Sequence, residues 1–172
     1  MEQAWQDVIE YPLPGRLRKP RQMGFTMVID KGLGITETRE LLELASEHID
    51  FLKLTFGTSA FYPAKLLQQK IQLVKSYNVD IFPGGTFLEI AILQGKLDRF
   101  LRRAVDLGFT CVEVSDGTIE MSPATRLEVI QKAKSYGLKV ISEVGKKDPR
   151  ERVPEEHMQE QISRDLEAGV LG

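Results

Sequence analysis

The 172-residue chain has one cysteine, two histidines and one tryptophan. A lone Cys111 rules out an intrachain disulfide and fits a reducing compartment or an indifferent one. Set in the apolar run "FTCVEV", it is expected to be a buried, inert thiol. His48 and His157 have no second histidine at ligand spacing, so a zinc site is not expected. Runs of about 18 apolar residues are absent, and the opening "MEQAWQDVIEYPLP" carries acids and a proline where a signal peptide needs a basic start and an apolar stretch. A cytoplasmic protein is expected. An excess of charge is lacking too: 23 Lys and Arg against 25 Asp and Glu, a net charge of -2, suggests neither nucleic acid nor an anionic membrane as a partner. The basic cluster Arg16, Arg18, Lys19 and Arg21, interleaved with Pro14, Gly15 and Pro20, reads as a solvated lead-in within residues 1–24. Neither a Walker loop nor a dinucleotide fingerprint occurs.

What is present is an ordinary globular composition, 42% hydrophobic and 28% charged, in a chain suited to a single domain over 1–172. Apolar runs of strand length begin near Phe25 ("FTMVID"), Phe51 ("FLKLTF"), Val79 ("VDIFP"), Thr110 ("TCVEVS") and Lys139 ("KVISEV"). Each is followed by helical spacing, over roughly 36–48, 62–77, 94–107, 122–136 and 154–168. Thr36 and Ser122 suit N-caps, with Pro123 at the first helical position, and Asn78, Gly108, Gly137 and Gly169 suit left-handed helix ends. The echo of "KSYNVDI" in "KSYGLKV" marks a repeated βα unit of roughly 30 residues, which predicts an α/β fold with a parallel sheet.

Length favours a five-stranded doubly wound sheet, since an eightfold barrel usually needs about 250 residues. Lys53, Glu113 and Glu143 argue the other way. Charges within apolar strands are costly between two helical layers, whereas at a barrel mouth they can point inward and meet a ligand.

In parallel α/β folds the ligand sits at the carboxyl ends of the strands. Those ends carry Asp30 and Lys31, then Lys53 with Gly57, Thr58 and Ser59 of "FGTS", then Gly84, Gly85, Thr86 and Glu89 of "PGGTFLE". Glu113 with Ser115 and Asp116 of "SDGT" follows, and last Glu143 with Lys146 and Lys147. The glycine turns let backbone N–H groups approach an anion, or serve simply as tight turns. Asp30, Glu89, Glu113, Asp116 and Glu143 offer only oxygen, the ligand type of Mg²⁺. Lys53, Lys146 and Lys147 supply charge for an anionic substrate, and a lysine there can move a proton. Lys53 can equally be an ion-pair partner of Glu113 or Glu143.

Five motifs, "VIDKG" (28–32), "DFLKLTFGTS" (50–59), "PGGTFLE" (83–89), "GFTCVEVSDGT" (108–118) and "ISEVGKKDP" (141–149), resemble in order and spacing those of the phosphosulfolactate synthase family, which acts first in one route to coenzyme M. Plant heat-stress proteins share the motifs. The resemblance implies a TIM-type (β/α)8 barrel, of which about five βα units are present, and Mg²⁺-dependent addition of sulfite to phosphoenolpyruvate. It assigns Lys53 to anion binding and Lys147 to proton transfer, with Glu113 and Glu143 on the metal. Thr55 and Phe56 stand where the family usually has glycine and tryptophan. Members continue past the equivalent of "EAGV" into a sixth strand with a Glu-Arg motif and two further units, so an open strand edge, covered by association into a homo-oligomer or left exposed, is expected here. A non-catalytic relative and another Mg²⁺-dependent barrel enzyme acting on a phosphorylated acid are the alternatives.

Overall fold

The computed structural model describes residues 4, 5, 7–10, 15 and 17–171, so Pro14 and Arg16 of the expected lead-in lie outside the described residues. The strands are β1 (Met27–Asp30), β2 (Phe51–Leu54), β3 (Asp80–Pro83), β4 (Cys111–Val114) and β5 (Lys139–Ser142). The helices are α1 (Ile35–Ala45), α2 (Phe56–Phe61), α3 (Ala64–Ser76), α4 (Gly85–Leu93), α5 (Leu97–Leu107), α6 (Pro123–Ser135) and α7 (Glu155–Glu167). Every expected strand and helix forms, and α2 and α4 are additional. The stretches 56–59 and 83–86, read as turns, are where these two helices begin. Their glycines imitate loops, and "FLEIAIL" is apolar without the one-sided stripe that betrays a surface helix.

β1, β2 and β3 form one parallel ladder, with Lys53 opposite Ile29 on one side and Phe82 on the other. β4 and β5 form a second, with Glu113 opposite Ile141. The two meet where the Thr110 N–H donates to the Ile81 carbonyl at 3.2 Å and the Ile81 N–H donates to Thr110 Oγ1 at 3.0 Å. Parallel neighbours need long crossovers, and helices supply them.

The main core lies between the sheet and these helices. Leu52, Leu54, Ile81, Val112, Val114 and Val140 pack there against Leu42, Ile71, Val74, Leu101 and Ile130. The opposite face carries a smaller cluster of Phe51, Phe82 and Cys111, with Phe25 and Ile141 against it and no helical residue. A doubly wound sheet would bury both faces under helices. Here Met27 and Ile29 remain 44% and 51% exposed on β1.

Local chemistry explains the boundaries. Ser122 Oγ accepts the Thr125 N–H at 3.1 Å and Pro123 opens α6, as expected. At α1 the cap is Gly34 instead of Thr36, without a side-chain bond. Asn78 adopts a positive φ of 55° and Gly108, Gly137 and Gly169 lie between 78° and 94°. In both copies of "KSY" the serine hydroxyl donates to the carbonyl three residues back, Ser76 to Leu73 and Ser135 to Lys132, each at 2.7 Å. The lead-in is less free than its composition suggests: Arg21 is locked to Asp50 at 2.8 Å, and Lys19 donates to the Asn78 carbonyl. No described helix is long and apolar enough to cross a membrane.

Candidate active site at the strand ends

Alternation along the strands sends Lys53 and Glu113 to the face opposite the helices. Lys53 Nζ lies 2.8 and 2.7 Å from the two Glu113 carboxylate oxygens and 3.1 Å from Glu143 Oε2. Burial works against the lysine's charge, but the hydrogen bond and charge of Glu113, with Glu143 behind them, hold Lys53 above the usual lysine range. Burial pushes Glu113 up from the usual carboxylate range, and Lys53 opposes that shift without cancelling it. Two carboxylates share one ammonium, and the deeper of them bears the cost of leaving water. Glu113 Oε1 also accepts the Gly85 N–H at 2.9 Å, so the acid caps the start of α4, where a negative charge is favoured.

That contact explains the glycine. A Cβ on Gly85 would lie 2.6 Å from Glu113 Oε1 and strike Ser115 Oγ, and one on Gly84 would meet the Leu54 carbonyl at 3.1 Å. Gly84 itself donates to that carbonyl at 2.7 Å. The glycines therefore serve strand and helix packing, and the Gly85 N–H is committed to Glu113.

Lys147 reaches the same place from the turn after β5. Its N–H donates to the Gly117 carbonyl at 2.9 Å, its stem lies on Gly117, and its ammonium donates to Thr86 Oγ1 at the head of α4. It pairs with no carboxylate among the described residues. Lys146 turns away: it donates to the carbonyls of Asp116 and Ile119 at 2.9 and 2.7 Å and pairs with Glu120 at 3.1 Å. Lys146, expected to contact substrate, thus ties down the β4–α6 loop through these three contacts.

Other expected residues are likewise spent on structure. Buried Asp30 accepts the N–H groups of Gly32 and Leu33 and pairs with fully buried Lys70 of α3. Glu89 accepts from Ser115 Oγ and from the Thr118 hydroxyl and N–H, the last at 2.8 Å. Burial pushes Glu89 upward, but these bonds outweigh it and hold the carboxyl below its ordinary range. Asp116 meets Arg126 at 3.2 Å. In α2, Thr58 shares a 2.7 Å hydroxyl contact with Thr55, Ser59 is buried, and Gly57 is exposed.

Residues 14–171 match a family model described as (2R)-phospho-3-sulfolactate synthase. The chain belongs to the (2R)-phospho-3-sulfolactate synthase family. Phosphosulfolactate synthase of Methanothermobacter thermautotrophicus is 38% identical over 166 residues, covering 95% of this chain and 64% of the relative. That of Methanocaldococcus jannaschii is 41% identical over 128 residues, covering 74% and 51%. That of Bacillus subtilis is 35% identical over 160 residues, covering 92% and 62%. The chain therefore spans between half and two thirds of the length of these synthases. A solved structure, N-acetylneuraminate lyase from Mycoplasma synoviae, aligns with 84% of this chain and 50% of its own at a TM-score of 0.48 and 13% identity.

Within this family member, the five acids expected to hold Mg²⁺ do not converge. Among the described residues no three His, Cys, Asp or Glu side chains form a group able to hold a metal, because Asp30, Glu89 and Asp116 have the partners described above. Glu113 and Glu143 do meet, over Lys53. No described residue hydrogen-bonds Glu143 Oε1, and the Glu143 side chain is 39% exposed. This donor set fits a cation bound by one or two carboxylates and completed by substrate and water, the habit of Mg²⁺, and does not fit an all-protein cage.

Sequence reading missed Lys70, Arg126 and Asp165, and it gave Gly117 and Thr118, inside "SDGT", no role of their own. Arg126 is 1% exposed and joins four elements. It bonds Asp165 of α7 through Nε at 3.0 Å and Nη2 at 2.7 Å, and its Nη2 donates to the carbonyls of Val114 and Glu143 at 3.3 and 3.0 Å. A signal was available: Lys70 and Arg126 fall on the apolar stripes Leu67–Ile71–Val74 and Val129–Ile130–Ala133 of their helices. A charge on a buried stripe needs a buried partner.

Proposed function

We propose that the chain adds sulfite to phosphoenolpyruvate to give (2R)-2-phospho-3-sulfolactate, a carbon–sulfur lyase-class reaction, as part of a (β/α)8 barrel whose mouth is the cluster described above. The observation that carries this reading is the meeting of Lys147 with Thr86 beside the Lys53–Glu113–Glu143 cluster, in a chain whose motifs belong to this family.

The reaction needs three things from the site. The sulfur lone pair attacks the methylene carbon, the double-bond electrons move towards the phosphate-bearing carbon and the carboxylate, and a proton must arrive at that carbon. Lys147 is the donor in this scheme: its ammonium pairs with no carboxylate among the described residues, and Gly117 and Thr86 hold it by stem and tip. Lys53 changes role from the expected anion ligand. Its donors are taken by two carboxylates, so it neutralises Glu113 and fixes Glu143 at the mouth. Glu143, with Glu113 beside it, would hold Mg²⁺, which when bound would supply positive charge to the substrate carboxylate as it becomes more negative.

Incubation with Mg²⁺, phosphoenolpyruvate and sulfite, followed by mass spectrometry, is expected to show a sulfonated product. Lys147→Met is expected to abolish it with the thermal midpoint unchanged. No product from the wild-type chain under conditions where it is folded refutes the activity, and full turnover by Lys147→Met refutes the proton donor.

A further inference from the structure

On the helix side of the sheet the helices leave a groove of about 470 Å³ between the α2–α3 pair, α4 and α5, with Pro83 at the end of β3 in its lining. Its floor is apolar, with Tyr62, Phe87, Ile90 and Phe100 among its lining. The Phe87 ring lies 5.2 Å from that of Phe100, so that the two form one aromatic surface in the groove. Every ionisable side chain at its rim except the Tyr62 phenol is cationic: Lys96, Arg99 and Arg103 line it, and no carboxylate does among the described residues. Lys96 is tied to Gln94 Oε1 at 2.8 Å. Asp98, next to Arg99 in sequence, turns to Lys132 at 2.7 Å. Arg99 and Arg103 form no ion pair among the described residues, and both are exposed.

An aromatic floor under two unpaired guanidinium groups selects for a particular ligand shape. The volume is that of a small-molecule site. A planar fork of N–H donors matches a carboxylate in two-pronged fashion, while the floor gains from covering hydrocarbon. A sugar phosphate is poorly served, because apart from the cations the groove offers mainly Ser59, Tyr62 and Gln94 for hydrogen bonding. We propose that the groove binds a small amphipathic carboxylate, its acid on Arg99 and Arg103 and its hydrocarbon or aromatic part on Phe87 and Phe100. The site is separate from the mouth, since Lys53 and Glu113 project from the other face of the sheet, and it stands whether or not the synthase reading does.

Decanoate, below its micellar concentration, is the probe. Calorimetric titration of the full chain is expected to show saturable one-to-one binding, weakened at least tenfold for decanol and for the double variant Arg99→Ser/Arg103→Ser, whose side chains are exposed and whose loss leaves the fold intact. Lys147→Met is expected to bind decanoate as the wild type does. Absence of saturable binding overturns the proposal, as does equal binding of decanol or of the arginine variant, which means apolar partition alone. Loss of binding in Lys147→Met places the carboxylate at the mouth and overturns it too, and so does binding of an acidic amphipathic peptide with no uptake of decanoate.

Discussion

Along β2 consecutive side chains go to different worlds. Leu52 and Leu54 are fully buried against the helices, while Phe51 and Lys53 belong to the opposite face, with two buried aromatics, a thiol and a lysine between two acids. The helix side is a continuous apolar core drawn from every strand except β1, whose Val28 packs at its margin. The other side is thin, and at β1 it is open to solvent. Strand periodicity thus separates two tasks: one face carries stability, and the other can hold charge because Lys53, Glu113 and Glu143 satisfy one another across neighbouring strands.

The comparison can be broken most severely where charge is buried. Lys53→Met leaves Glu113 and Glu143 facing each other with no cation, and loss of one partner of a buried pair costs about 3–5 kcal/mol. Urea unfolding is expected to show a loss of that order, and a change below about 1 kcal/mol means that the cluster is more open to water than its burial indicates. Truncation of matching aliphatic residues tests the faces directly. Leu101→Ala, in the helix-side core, is expected to cost about 2–5 kcal/mol, whereas Ile29→Ala, half exposed on the other face, is expected to stay within about 0.5 kcal/mol. Equal losses would abolish the distinction.

A smaller and more selective effect is expected at Gly117. A Cβ there meets the Lys147 stem at 3.2 and 3.3 Å, so Gly117→Ala displaces the proposed proton donor without touching the core. Turnover is expected to fall about tenfold, equivalent to about 1.4 kcal/mol in the barrier, with KM and the unfolding midpoint little changed. A fall in stability instead would make Gly117 structural. The mildest expected effect is on acid sensitivity. Glu89 has a folded pKa below its ordinary value, so its contribution is present above about pH 4.3 and is lost as pH falls through the lower folded value. Unfolding midpoints of wild type and Glu89→Gln are expected to converge as pH drops below about 4.3, and parallel curves would remove Glu89 from the clamp.

Much of this was legible in sequence because it rests on local chemistry. The strand runs, the glycine and asparagine helix ends and the Ser122–Pro123 cap all depend on neighbouring residues, and the structure bears them out. The meeting of Lys53, Glu113 and Glu143 was legible too, because strand parity places inward charges on one face. What escaped depends on contacts distant in sequence. Whether Asp30 binds a metal or a lysine is decided by Lys70, and whether Glu89 faces a ligand or a loop is decided by Ser115 and Thr118. Lys146 and Lys147 are adjacent and chemically identical, and only the turn at Gly145, with its φ of 103°, sends one to the loop carbonyls and the other to Thr86.

Cys111 lies in the thin cluster, sealed beneath Phe51 and Phe82. Burial, helped by the nearby charge of Asp80, pushes its thiol up to about 12, so at neutral pH almost none of it is the reactive thiolate while the cluster is closed. As the one thiol in the chain, it acts as a built-in clock. Its rate of alkylation counts how often that face breathes open, and anything that caps the face will be timed by the slowing of a single chemical reaction.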